Sequence, residues 1–260
     1  PFLADPILDP IHFGFTESMV RYRDLRKRYP DVDILMGVGN LTELTDADTT
    51  GITALLMGVV SELRIGGILV VRVSPHCCRA VHEADLARRI MYAAHEEGGL
   101  PVGINQGLMG LHGRRPYPYS ADEIAELASL VQDPSFRIQI SEQGLHVFNR
   151  DGHHMGDDPF SLFPELGVDA DGPHAFYLGV ELARAHIARQ LGKVYTQDEE
   201  LDWGCSAERS STGVEEEGTS PGHALVIALE RRAAEKRAAK KRKERGQDGN
   251  KSEAKEKKNT

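Results

Sequence analysis

Three times between residues 2 and 97 a short apolar run is followed by a helical pattern, and this alternation constrains the fold more than any other feature of the chain. Residues 2–8 (FLADPIL) are apolar and strand-like, with Pro10 and Gly14 in the loop that follows. Glu17 to Tyr29 has helical periodicity and a basic end, Arg26-Lys27-Arg28, and Pro30 stops it. Asp33 to Val38 has the continuous apolar character of a buried strand. Residues 39–47 read as a loop. Thr45 to Asp48 reads as a variant capping box, opening a helix to about Leu63 that Gly66-Gly67 breaks. Ile68 to Val73 (ILVVRV) is a strand of the type covered on both faces in a parallel sheet. Ser74-Pro75-His76 leads out of it, and a helix over Ala80 to Glu97 ends at Gly98-Gly99, where glycine takes the left-handed cap.

Such alternation argues for parallel βα units with ligands at the carboxyl ends of the strands. Three units close nothing, and a (β/α)₈ barrel takes about 250 residues. If these are barrel units, most of the barrel precedes Pro1. The start, Pro-Phe-Leu-Ala-Asp, shows no initiator Met and no leader, and a sequence beginning inside a longer protein is the matching expectation.

The grammar changes after Gly99. Pro101 to Asn105 reads as a short strand, Ser120 to Glu123 as a clear capping box, and Asp133-Pro134 as the end of the helix it opens. Phe136–Ser141 and Leu145–Asn149 flank Glu142-Gln143-Gly144 with alternating apolar residues, a hairpin signature. Asp169 or Asp171 caps a helix over Pro173 to Leu191, with Gly192 beyond. The expected class is α/β. Residues 1–97 would be the last three βα units of a TIM-type barrel, 98–205 a small α+β domain, and 206–260 a flexible acidic linker and basic helical tail.

Charge separates along the same line. Of 31 Lys+Arg and 40 Asp+Glu, 13 and 6 fall in residues 230–260, which leaves 18 against 34 before them. The tail has no aromatic residue for base stacking, so nucleic acid is not the expected partner. Apolar runs are far shorter than the roughly 20 residues that span a bilayer, so no membrane partner is expected. Three cysteines, Cys77, Cys78 and Cys205, form neither a disulfide framework nor a zinc spacing, and a reducing cytoplasm is the expected location.

Candidate chemistry sits at three consecutive strand exits: Asp5 and Asp9; Asn40 with Thr42 and Glu43; Arg72 with Ser74 and His76. In parallel βα architecture these positions converge on one mouth, and acceptors, an amide and a cation together suit a polar heterocycle. The plainer alternative makes them caps and turns. Elsewhere, His153-His154 with Asp157-Asp158 has metal-binding chemistry but reads better as a solvated loop, because adjacent side chains in a turn point apart. Cys77-Cys78 beside His76 reads as packing at a helix start rather than a thiol nucleophile.

The segment Ile7-Leu-Asp-Pro-Ile-His-Phe-Gly-Phe15, the strand Leu35-Met-Gly-Val-Gly-Asn-Leu-Thr42 and the strand Val71-Arg-Val-Ser74 resemble successive late strands of the pterin-binding barrel family, which includes dihydropteroate synthases and methyltetrahydropterin methyltransferases. Residues 39–48, Asp157-Asp-Pro-Phe160, His174-Ala-Phe-Tyr-Leu-Gly179 and Leu191-Gly-Lys193 resemble a dihydropteroate synthase-related group associated with tetrahydromethanopterin synthesis. The resemblance covers about residues 1–205. It implies that Asp9, with Asp5 as the competing assignment, holds the pterin's amino-pyrimidine edge, that Asn40 hydrogen-bonds the pterin, and that Arg72 is the last-strand arginine, with His76 close by. It implies condensation of a hydroxymethylpterin pyrophosphate with an aminobenzene-type amine in folate or tetrahydromethanopterin biosynthesis, with Mg²⁺ accompanying the pyrophosphate; a homodimer is a separate expectation. Two departures matter. Gly39-Asn40-Leu41 stands where synthases show Ser-Arg-Lys, and Ser74 replaces a histidine. The Asn40 loop is closer to the methyltransferase pattern, so a pterin-dependent methyl transfer with a corrinoid partner is the second expectation. A non-catalytic pterin-binding or assembly subunit is the third.

Overall fold

The computed structural model describes residues 2–208. The expectations for the acidic linker and basic tail fall almost wholly outside the described residues. The chain is mixed α/β and divides into two compact units, residues 2–111 with 202–208, and residues 112–201.

In the first unit, helix α1 (Phe15–Arg28) follows the first extended segment. Strand β1 (Leu35–Gly37) leads into the one-turn helix α2 (Gly39–Thr42) and then α3 (Thr49–Glu62). Strand β2 (Gly67–Leu69) is followed by α4 (Ala80–Glu96). β1 and β2 pair in parallel, Met36 opposite Ile68, and Ala4 forms a parallel bridge with Ile34 on the other side. The three segments therefore lie side by side in chain order, each followed by a helix. Their core is continuous: Leu8, Tyr22, Ile34, Met36, Val38, Leu56 and Met57 are all buried in one cluster.

Several local readings are corrected. Residues 39–42 are helical, not loop, because Glu43 N–H and Thr42 N–H turn back onto Gly39 and Val38 carbonyls. The Thr45 capping box does not form; α3 starts after Asp48, with no side-chain cap. The third strand is shorter than residues 68–73, since regular pairing ends at Leu69 and the amides of Val73 and Ser74 go to a side chain instead. Residues 101–105 form no strand. Among the described residues the two sheets are small and no closed barrel exists.

At the amino ends of the strands, one side chain ties the unit together. Arg26 donates to the carbonyls of Pro30, Val32, Leu63 and Arg64, at 2.6 to 3.0 Å, so the turns after α1 and α3 close on a single guanidinium. Five fixed donors suit this role better than an ammonium would.

The second unit is α+β. Helix α5 (Ala121–Ser129) opens with the expected capping box, Ser120 and Glu123 satisfying each other's amides. Strands β3 (Arg137–Ile140), β4 (Leu145–Asn149) and β5 (Gly152–Gly156) form an antiparallel meander. The hairpin was expected; β5 was not, and it carries His153 and His154, which are strand residues rather than a loop. After the short helix α6 (Pro159–Leu162), α7 (Gly172–Leu191) is capped by Asp171 and ends at Gly192 with φ +61°. Leu178, Leu182 and Ala185 of α7 bury against Ile138, Ile140, Leu145 and Val147.

Helices α3 and α4 also share a polar contact that tests this packing. Glu83 is 3% exposed, and its two oxygens accept from Thr49 (2.7 Å) and Thr50 (3.2 Å). Thr49→Val removes a donor from a buried carboxylate while keeping the shape, and should destabilise the chain by about 1–3 kcal/mol in urea denaturation.

Candidate functional site

Each carboxyl-end loop of the parallel layer is fastened to the next by a polar side chain. At the first exit, Asn40 reaches back from α2 and donates through Nδ2 to the Leu8 carbonyl at 2.8 Å. At the second, the Glu43 carboxylate spans to the third segment and accepts from Val73 N–H (2.7 Å) and Ser74 N–H (2.8 Å). His76 Nε2 lies 3.1 Å from the Thr42 carbonyl, and the Cys77 thiol donates to the same oxygen at 3.3 Å. The carbonyl accepts from Nε2 only in the tautomer that carries the proton there. A Cβ at Gly39 would overlap the Val71 side chain, so only glycine lets α2 start this close to the third segment.

The five expected site residues distribute along this rim unequally. Asn40 sits on α2, its side chain exposed except for the bond to Leu8. Asp9 follows Leu8 and turns toward α1. Its Oδ2 accepts from Arg21 at 2.6 Å and from the Ser18 hydroxyl at 3.3 Å, and its own amide donates to that hydroxyl. Asp5 accepts from the phenol of buried Tyr22 at 3.0 Å and from Ile7 N–H at 2.8 Å. Burial first, and then the bond to Asp5, push the Tyr22 phenol well up, so it remains a protonated donor. His76 is exposed at the junction of the second and third exits. Arg72 is exposed beside the Glu43 anchor, with no hydrogen bond or ion pair to another described residue.

Asn40 thus bonds the backbone next to Asp9, whose own carboxylate turns to α1, and Asn40 and His76 are linked through α2. The Arg72 side chain joins neither pair. Asp5 is committed to Tyr22 beneath the first strand.

Two residues hold the rim in ways that the sequence did not indicate. Arg21 fixes the Asp9 carboxylate, and its signal was the spacing of Ser18 and Arg21 on one face of α1. Glu43, grouped with the second exit but given no role, is the cross-link between loops. Hydrogen bonds from Ser74, and then from the Val73 amide, hold its carboxyl at about 2. Cys77, by contrast, has its thiol pushed up by burial and then by the Glu43 carboxylate, which disfavours a thiolate nucleophile.

The second unit carries a separate imidazole cluster. Ser141 Oγ lies 2.8 Å from His146 Nε2, and His146 Nδ1 lies 3.0 Å from His153 Nε2, with the two rings stacked. The order Ser-His-His has the outline of a nucleophilic triad, but Ser141 is fully buried and its oxygen also accepts from the amides of Gln143 and Gly144. That hydroxyl holds the hairpin turn. Among the described residues no three His, Cys, Asp or Glu side chains form a metal-binding group, so the pair His153-His154 has no completing ligand there.

Two consequences are measurable. The Glu43 carboxyl is depressed, so its bonds to the turn persist above the ordinary carboxyl range and are lost only as pH falls through about 2. Val73 and Ser74 amides should stay protected from exchange down to pH 4, and Glu43→Ala should expose both. His146, fully buried, is held down to about 4, first by burial and then by His153. Its unfolded value near 6.5 means the unfolded state binds the proton first. Stability of β4 and β5 is therefore complete above pH 6.5 and falls by up to about 3 kcal/mol as pH drops to 4. His146→Gln should flatten that slope in exchange-monitored unfolding.

No family model matches the chain, and no solved structure matches it. The chain is similar to a protein of Methanocaldococcus jannaschii described only as uncharacterized, with 29% identity over 222 residues, 76% of this chain and 42% of the relative. The chain thus spans less than half the length of the relative it matches.

Proposed function

We propose that residues 1–97 are late βα units of a dihydropteroate synthase-like pterin-binding barrel, and that the whole protein condenses a hydroxymethylpterin pyrophosphate with an aminobenzene-type amine. The observation that carries this reading is the rim itself. Three parallel segments in chain order, their exits joined by Asn40 and Glu43, are what a barrel mouth requires of consecutive strands. The exposed first edge supports it too: Phe2 (74%), Leu3 (53%) and Ile7 (56%) are apolar and uncovered where a preceding unit would pack. More than half of the Methanocaldococcus relative lies outside the match, which leaves room for such units.

On this reading Asn40 and Asp9 meet the amino-pyrimidine edge of the ring, Arg21 holding one carboxylate oxygen in place and leaving Oδ1 toward the ligand. Arg72 supplies a cation at the third exit, with His76 beside it. The reaction needs no covalent intermediate. The amine lone pair forms the C–N bond to the methylene carbon, the C–O bond breaks, pyrophosphate leaves with the electron pair, and the nitrogen sheds a proton. Orientation and charge stabilisation are the protein's contribution. Mg²⁺ would arrive on the pyrophosphate, whose oxygens are its usual ligands. A pterin-dependent methyl transfer is the second reading, favoured by Asn40 and by the absent lysine in Gly39-Asn40-Leu41.

Full-length protein given a pterin pyrophosphate and an aminobenzene sugar phosphate should release pyrophosphate. Transfer of a methyl group from a reduced methylpterin to a corrinoid protein, without pyrophosphate release, would replace the first reading with the second. Asp9→Asn combined with Asn40→Ala should weaken pterin binding by at least about tenfold in calorimetry. Unchanged affinity would remove both residues from the site.

A further inference from the structure

The hydrogen-bond chain through Ser141, His146 and His153 fixes where each hydrogen sits. Ser141 Oγ accepts from the amides of Gln143 (3.1 Å) and Gly144 (3.3 Å), which uses both acceptor positions of a hydroxyl. The hydroxyl therefore donates its own hydrogen to His146 Nε2, at 2.8 Å. A neutral imidazole carries a single N–H, so the His146 hydrogen is on Nδ1 and points at His153 Nε2, 3.0 Å away. His153 in turn carries its hydrogen on Nδ1. The amides of one hairpin turn thus set the tautomers of both imidazoles.

The ends of this chain differ in their access to water. Ser141 and His146 are fully buried, whereas His153 is exposed. A proton taken from solvent onto His153 Nε2 meets the His146 Nδ1–H across a gap that holds a single hydrogen. The two rings stay bonded only if His146 carries its own hydrogen on Nε2 and accepts at Nδ1. That Nε2–H then faces Ser141 Oγ, whose acceptor positions are taken, so a turn amide is displaced. The charge rests on His153, and none has to be buried. Gln139 Oε1, opposite His146 in the strand register and two residues from Ser141, is buried with no partner among the described residues, and it offers an acceptor for the displaced hydroxyl hydrogen.

The surroundings let His153 titrate in this way. From β3 the neutral Gln139 faces His146, and Arg137 is bound to Asp133. Helix α5 turns Ile124 and Ala128 inward, while its Asp122, Glu123 and Glu126 are exposed, as are Glu142, Arg150 and Asp151 in the flanking turns. On β5, His154 adjoins His153. Partial burial first, and then His154, hold the His153 imidazole below its ordinary value, so it is neutral at about pH 7.5 and charges in acid.

We propose that His153 is the trigger of a proton switch: a proton taken up at the surface moves the His146 hydrogen from Nδ1 to Nε2 and releases the β3–β4 turn from Ser141. The event is local, unlike the loss of strand stability that charging buried His146 brings. Nitrogen-15 NMR of the 260-residue chain at about pH 7.5 should find both imidazoles protonated on Nδ1. By about pH 4.5 the His146 hydrogen should be on Nε2. Protection of the Gln143 or Gly144 amide, corrected for the intrinsic exchange rate, should then have fallen about tenfold while Leu182 in α7 keeps its own. His153→Gln keeps an acceptor for His146 but cannot take the proton, so its turn should stay protected at about pH 4.5. Ser141→Ala should leave both turn amides unprotected at either pH. His146 protonated on Nε2 at neutral pH, unchanged turn protection in acid, or equal loss at the turn and at Leu182 would overturn the switch. So would release in His153→Gln at the wild-type pH, or a protected turn in folded Ser141→Ala.

Discussion

Everything in the first unit hangs on the segment 34–37, which is hydrogen-bonded on both sides. Leu35 N–H donates to the Ala4 carbonyl, and Gly66 and Gly67 amides donate to the Ile34 carbonyl. Ile34 and Met36 are fully buried, so the segment loses solvent on its faces as well as its edges. Unpaired backbone groups in that position would cost about as much as the hydrogen bonds they forfeit. Registry with both neighbours is therefore compulsory, and once it is set the exits at residues 5–9, 38–43 and 70–76 arrive together. Arg26 secures the opposite ends of the same elements, so the layer is fixed above and below by side chains rather than by long ladders.

That economy explains what could and could not be read in the sequence. Apolar runs such as Ile68 to Val73 and the stops at Pro30 and Gly66-Gly67 identify the elements, because burial and backbone freedom are local properties of those residues. The extent of β2 is different. Val73 and Ser74 leave the ladder because Glu43, 30 residues earlier, offers their amides a better acceptor, and no window of sequence contains both partners. The helical turn at 39–42 was hidden for the same kind of reason. Gly39-Asn-Leu-Thr42 has loop composition, and its conformation follows from Leu41 burying in the core while Asn40 reaches Leu8. β5 has a glycine at each end and two adjacent histidines, Gly152-His-His-Met-Gly156, with no apolar alternation, and its strand character comes from pairing with a fully buried β4.

The same contrast governs the candidate sites. Residue types at strand exits were legible because chemistry-bearing side chains in otherwise apolar surroundings stand out. Their orientations were not. Asp9 and Asp5 look interchangeable by position, yet Arg21 and Ser18 hold the first at the rim, whereas Tyr22 holds the second against α1. Gln197 carried no signal at all, since nothing in Thr196-Gln-Asp-Glu199 announces that its side chain will bond to the edge of β3.

The two units also differ in how they finish their surfaces, and this bears on what each can do alone. The outer edge of β3 is closed by Gln197, so the antiparallel sheet presents few open backbone groups on that side. The first parallel segment has no such cover: Phe2, Leu3 and Ile7 are exposed next to a bridge of a single residue pair. Parallel layers are normally covered on both faces, and an open apolar edge invites pairing. That open apolar edge is where the proposed further strands would pair.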